Sequence, residues 1–176
     1  MIDWEKITLR EFAGYVSEEL RKRGIETILV GGACVTIYSN NLYLSYDLDY
    51  ITYEDMGKVK IVLKELGFVE KQKYFQHKGC PWFIEFVSPP VAIGKEHIRE
   101  FNRLQTTLGS IKMLRPVDSV KDRLASFYHW NDREGLNQAI SICREQEIDL
   151  NEVEKWSRKE NQLEKFRIFI TKLKNL

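Results

Sequence analysis

Asp47 and Asp49 lie in the run Leu44-Ser-Tyr-Asp-Leu-Asp-Tyr-Ile51, and they are the residues in this chain whose type and spacing most plainly suit chemistry. Side chains alternate across a strand, so both carboxylates project from one face while Leu48 and Tyr50 take the other. Like charges this close do not both stay ionised without a counter-charge, and a divalent cation held by oxygen ligands supplies one. An edge strand whose carboxylates simply face water accounts for the same spacing.

Two further stretches bear on that pair. Upstream, Thr27-Ile-Leu-Val30 runs into Gly31-Gly32 and then Ala33 to Tyr38, a strand, a turn and a short helix. A strand passing through small residues into a helix start presents backbone N–H groups at the positive end of the helix dipole, which suits phosphate. A tight turn explains two glycines equally well. Downstream, Pro81-Trp-Phe-Ile-Glu-Phe-Val87 is almost wholly apolar and predicts a buried strand, yet Glu85 stands at its middle. A carboxylate is rarely buried unless it is paired or coordinates a metal. Glu85 is therefore either the partner of a nearby Lys or Arg, or a third acid beside the two aspartates.

Other elements must hold these residues in place. Leu9, Phe12, Val16 and Leu20 make one helical stripe, with Thr8 as cap, Glu11 at the capping-box position and Gly24 at the end. A second helix starts near Asp55 and ends at Gly67. Strands are expected over Phe68–Lys71 and Tyr74–His77, and a hairpin over Phe101–Thr107 and Ser110–Leu114. Pro116 opens a helix with Val117, Val120, Leu124, Phe127 and Tyr128 inward and Asp118, Lys121, Asp122 and His129 on the opposite side. Helices over Arg133–Gln146, Asn151–Ser157 and Gln162–Leu173 complete the chain. The fold class is thus α/β (α+β): a mixed sheet flanked by helices over 1–115, then a helical region over 116–176.

Composition narrows the function classes. Among 176 residues, 43% are apolar and 30% charged, as in a globular domain, and a net charge of +1 gives no global pull toward nucleic acid or membrane. No early segment has a signal-peptide core and no apolar run approaches a membrane span, so a cytoplasmic location without membrane contact is expected. Cys34, Cys80 and Cys143 are odd in number and widely spaced, which argues against a disulfide framework or a thiolate metal site.

The order strand, Gly-Gly, short helix, Ser45-x-Asp47-x-Asp49, then a later strand with Glu85, resembles the nucleotidyltransferase superfamily that includes DNA polymerase beta. It is most similar to small prokaryotic members such as the nucleotidyltransferase-type toxins of abortive-infection systems. The first two elements span about Val30 to Tyr50, and a looser likeness runs from Leu114-Arg-Pro to Gln138-Ala. The resemblance implies that Gly31 and Gly32 cradle a triphosphate, that Ser45 lies near its phosphates, and that Asp47 and Asp49 hold two magnesium ions. It places Glu85 as the third acid and Lys121 or Arg123 against the departing charge. The implied reaction moves a nucleoside monophosphate from a nucleoside triphosphate to a hydroxyl on RNA, protein or a small molecule, releasing pyrophosphate, with oligomeric state left open. Ala33 follows the glycines where the family often has Ser, Tyr43 and Leu44 stand where toxin-type members carry Arg, and Glu85 replaces an Asp. These differences point to an alternative, a weak or inactive module of the same fold with an antitoxin-like or partner-recognition role.

The remaining polar and aromatic residues suggest packing. His77, His97 and His129 are scattered; Trp82, Phe83 and Phe86 read as core rather than a base-stacking platform. Lys71, Lys73 and Lys78 read as a solvated strand face rather than a phosphate-binding one, and Asp132 as the cap of the helix that follows.

Overall fold

The computed structural model describes residues 2–175. In chain order its elements are α1 (Leu9–Lys22), β1 (Ile28–Val30), α2 (Gly31–Tyr38), β2 (Asp47–Ile51), α3 (Met56–Glu65), β3 (Phe68–Lys71), β4 (Tyr74–His77), β5 (Phe83–Val87), β6 (Ala92–Ile93), β7 (Glu96–His97), β8 (Asn102–Gln105) and β9 (Ser110–Met113). The helices α4 (Pro116–Trp130), α5 (Arg133–Glu145), α6 (Leu150–Lys159) and α7 (Leu163–Lys174) follow. The chain divides into two compact units, each discontinuous in sequence. One comprises Met1–Ala33, Ser45–Pro90 and Phe101–Leu114; the other comprises Cys34–Leu44, Val91–Glu100 and Arg115–Leu176.

The first unit holds the seven-stranded sheet, in the order β3-β4-β5-β2-β1-β9-β8. Its short apolar strand β1 is an interior one, antiparallel to β2 and parallel to β9. The residues that alternate with the aspartates explain which face is covered. Leu48 and Tyr50 are fully buried, and the Tyr50 hydroxyl donates to the Ala13 carbonyl at 3.0 Å and lies 2.9 Å from Ser17 Oγ on α1. Trp4, Phe12 and Phe68 extend that packing edge to face. The α1 stripe Leu9, Phe12, Val16 and Leu20 is buried as its periodicity requires, and Thr8 caps the helix through the Glu11 amide at 3.2 Å. The Glu11 carboxylate turns away from the cap and accepts from the Thr107 hydroxyl.

The second unit is built on α4 to α7 with the small β6–β7 hairpin. Tyr128 stacks on Trp156 with ring centroids 5.4 Å apart, its hydroxyl 2.8 Å from Ser157 Oγ, and Trp156 donates to the Ile93 carbonyl at 3.4 Å. Asp132 caps α5 as expected, accepting from the Glu134 amide at 3.0 Å.

Several expectations need correction. Asp118 and Lys121 do not lie on an outer side of α4: both are buried, alongside the apolar residues of the same helix. β5 is not buried throughout, since only Ile84 is enclosed while Phe83, Glu85, Phe86 and Val87 are half-exposed. Trp82 is likewise half-exposed. The helix after the glycines begins at Gly31 itself, and the two-residue strands β6 and β7 went unanticipated. Among the described residues no disulfide joins Cys34, Cys80 and Cys143. Among the described residues no helix is long and apolar enough to cross a membrane.

Candidate active site

The register between β2 and β5 builds the site. The two strands run parallel, with Asp47 opposite Phe83 and Asp49 opposite Glu85. Alternation then puts Asp47, Asp49 and Glu85 on the face turned away from Leu48 and Tyr50. One carboxylate oxygen from each of these three half-buried residues lies within 4.8 Å of the others. Ser45 Oγ donates to Oδ1 of Asp47 at 2.9 Å and lies 3.1 Å from the Asp47 carbonyl oxygen, fixing the first carboxylate from below.

Gly31 joins β1 to α2 beside this cluster. Val30 pairs with Asp49 across the β1–β2 ladder, and Gly31 follows it with φ +66°. A Cβ at Gly31 would collide with Oδ2 of Asp49 and lie 3.3 Å from its Cγ. Glycine is needed here twice over, for the left-handed backbone and for the room its missing side chain leaves to the second aspartate.

Glu85 has a lysine partner as well as the two aspartates for neighbours. Lys73 Nζ lies 2.9 Å from Glu85 Oε1, and that hydrogen bond pushes the lysine well above the ordinary ammonium range. The lysine side chain is 62% exposed, so the pair is of the solvent-screened surface kind and contributes little to stability. An all-carboxylate, oxygen-only donor set suits a hard divalent ion such as magnesium, which keeps several waters and accepts few protein ligands.

Lys121 and Arg123 belong to the second unit, where each has acidic or polar partners. The Lys121 side chain is 1% exposed, with Nζ 2.7 Å from Glu152 Oε1, 3.4 Å from Asp118 Oδ1 and 3.5 Å from Glu96 Oε1. Burial pulls its pKa down, but the Glu152 bond and the charges of Asp118 and Glu96 outweigh this and leave it raised. Arg115 adds bonds to Asp118 at 2.6 Å and to Glu152 at 3.0 Å. Arg123 is bonded to Asp122, and its Nη1 donates to Gln138 Oε1 at 3.3 Å. The sequence reading missed this network; Arg115, Asp118 and Lys121 at successive i, i+3 positions were its one local signal. The histidines have separate neighbours: His77 stacks on Trp4 at 3.9 Å, while His129 Nε2 is 3.4 Å from Glu160.

A mixed seven-stranded sheet with helices, an acidic triad on two parallel strands and a following helical region make this a nucleotidyltransferase fold. Among solved structures, the chain is similar to an antigenic nucleotidyltransferase-like protein from Paracoccidioides brasiliensis, with a TM-score of 0.58 and 14% identity over 76% of this chain and 74% of that one. The antibiotic-resistance factor ANT(2'')-Ia aligns over 95% of this chain and 91% of its own, with a TM-score of 0.48 and 11% identity. The first carries the fold assignment. No protein-family model matches the sequence, and no curated protein matches it.

Proposed function

We propose that the chain is a magnesium-dependent nucleotidyltransferase that moves a nucleoside monophosphate from a nucleoside triphosphate to a hydroxyl acceptor. The observation that carries this reading is the convergence of Asp47, Asp49 and Glu85 on the strands of a nucleotidyltransferase-fold sheet. Asp47, Asp49 and Glu85 would hold magnesium, which would supply positive charge for an in-line displacement at phosphorus.

The residues divide the remaining work. Gly31 and Gly32, at the start of α2, turn backbone amides toward the triphosphate. Ser45 fixes the orientation of the Asp47 carboxylate. Glu85 takes the proton of the acceptor hydroxyl as its oxygen attacks the α-phosphorus. The bond from that phosphorus to the bridging oxygen breaks, and pyrophosphate leaves with the electron pair. Lys121 and Arg123, in the second unit, are paired with carboxylates of that unit.

Titration of the chain with a nucleoside triphosphate and magnesium tests the assignment. Wild type is expected to bind, and Asp47→Asn with Asp49→Asn to lose binding; equal binding in both overturns the roles of these aspartates. A second reading, a weak or inactive binding module of the same fold with an antitoxin-like or partner-recognition role, draws on Tyr43 and Leu44 in place of an arginine and on Glu85 as the longer acid. Pyrophosphate release abolished by Asp49→Ala would remove it.

A further inference from the structure

The acidic cluster lies between two different neighbours in the sheet. On one side β2 leads to β1 and the Gly31 helix start; on the other β5 leads to β4 and β3. Cross-strand pairing fixes what the second side presents. Tyr74 pairs with Glu85, Gln76 with Phe83, and Lys71 with Tyr74, so all of these share the face of Asp47 and Asp49. Tyr74 and Phe83 are half-exposed and form a tilted ring pair with centroids 6.0 Å apart. Lys73 Nζ sits 4.9 Å from the Tyr74 ring centroid, and Lys71 Nζ donates to Gln76 Oε1 at 3.0 Å. The carboxylate of this hairpin is turned the other way: Glu70 pairs with Phe75 in the ladder and with Lys60 of α3 at 2.7 Å.

Resting on the nucleotidyltransferase reading, we infer that the β3–β4–β5 face is the acceptor site and that the acceptor is a single-stranded polynucleotide. Two adjoining aromatic rings on an open sheet offer stacking surface to unpaired bases, and lysines beside them offer charge to the intervening phosphates. With the triphosphate held at Gly31 and Gly32 as proposed above, the open approach for an acceptor hydroxyl is from the β5 side, where Glu85 stands. A terminal nucleotide stacked on Tyr74 and Phe83 would present its hydroxyl to that carboxylate. The surface thus sets Lys71, and Lys73 in its pair with Glu85, beside two half-exposed rings directly continuous with the carboxylates.

Anisotropy of a labelled single-stranded oligoribonucleotide of about 12 residues, mixed with the full chain without metal or triphosphate, tests this. Wild type is expected to bind more tightly to the single strand than to the same sequence as a duplex. Tyr74→Leu should weaken binding about tenfold without changing its salt slope. Lys71→Gln with Lys73→Gln, on exposed side chains that do not threaten folding, should lower the slope of log affinity against log salt by about 1.4. Absence of binding, binding unchanged in both variants, or a Tyr74→Leu defect confined to triphosphate affinity would overturn the inference. Retained oligonucleotide binding in Asp47→Asn with Asp49→Asn separates the two proposals, since it supports the face even where transfer fails. Lost triphosphate binding in that variant, with no oligonucleotide binding in wild type, sinks the acceptor assignment alone.

Discussion

Replacing Lys121 by Met removes the ammonium from beside Asp118, whose side chain is 0% exposed. Arg115 still holds that carboxylate, so the expected loss is on the order of 3 kcal/mol, read as a lower urea midpoint. A phosphate role for Lys121 would instead leave the midpoint unchanged and weaken triphosphate binding. Glu152 sets an acid limit on the same network. Burial raises its pKa, but the Lys121 bond and the charges of Lys121 and Arg115 prevail and leave it below the ordinary 4.5. Its stabilising share is thus complete above that value and lost as pH falls below it. Glu152→Gln should flatten the acid side of a stability–pH curve. Strand alternation made Asp47 and Asp49 legible in the sequence. Lys121 was not, because its partners Glu96 and Glu152 come from distant segments and turn a polar helix position into an interior one.

The passage from β1 into α2 carries its own test. Gly31→Ala asks a side chain to adopt φ +66° and to share space with Oδ2 of Asp49. A backbone cost of about 1–2 kcal/mol is expected, together with weaker divalent-cation binding by titration, because the second carboxylate must move. Elements with their own periodicity, caps or turns were readable: the α1 stripe with Thr8, α4 opening on Pro116, and β3 and β4 with the bounds the sequence suggested. The strand β5 misled because apolar residues outnumber polar ones, whereas its pairing leaves one face half-open and gives Phe83 and Glu85 access to solvent. β6 and β7, two residues each, have no pattern long enough to detect.

Across the whole molecule, the fold class was legible and the composition of the units was less so. The sheet and the helical run each follow from local patterns, but nothing local tells that Cys34–Leu44 and Val91–Glu100 join the unit built on the last four helices. The parallel β2–β5 ladder likewise depends on residues far apart in sequence, Asp49 opposite Glu85. A slip of one position would bring Ile84 or Phe86 opposite Asp49 and turn the third acid to the covered face. The unfolded chain therefore has no triad, and a cation that needs all three acids can recognise only the folded form. The ladder makes such an ion a clasp on the native state: magnesium at about 100 times its dissociation constant should add about 2.7 kcal/mol, seen as a melting temperature that climbs with the logarithm of concentration. Asp47→Asn with Asp49→Asn should melt at one temperature whatever the magnesium, and a rise equal to that of wild type would place the ion elsewhere.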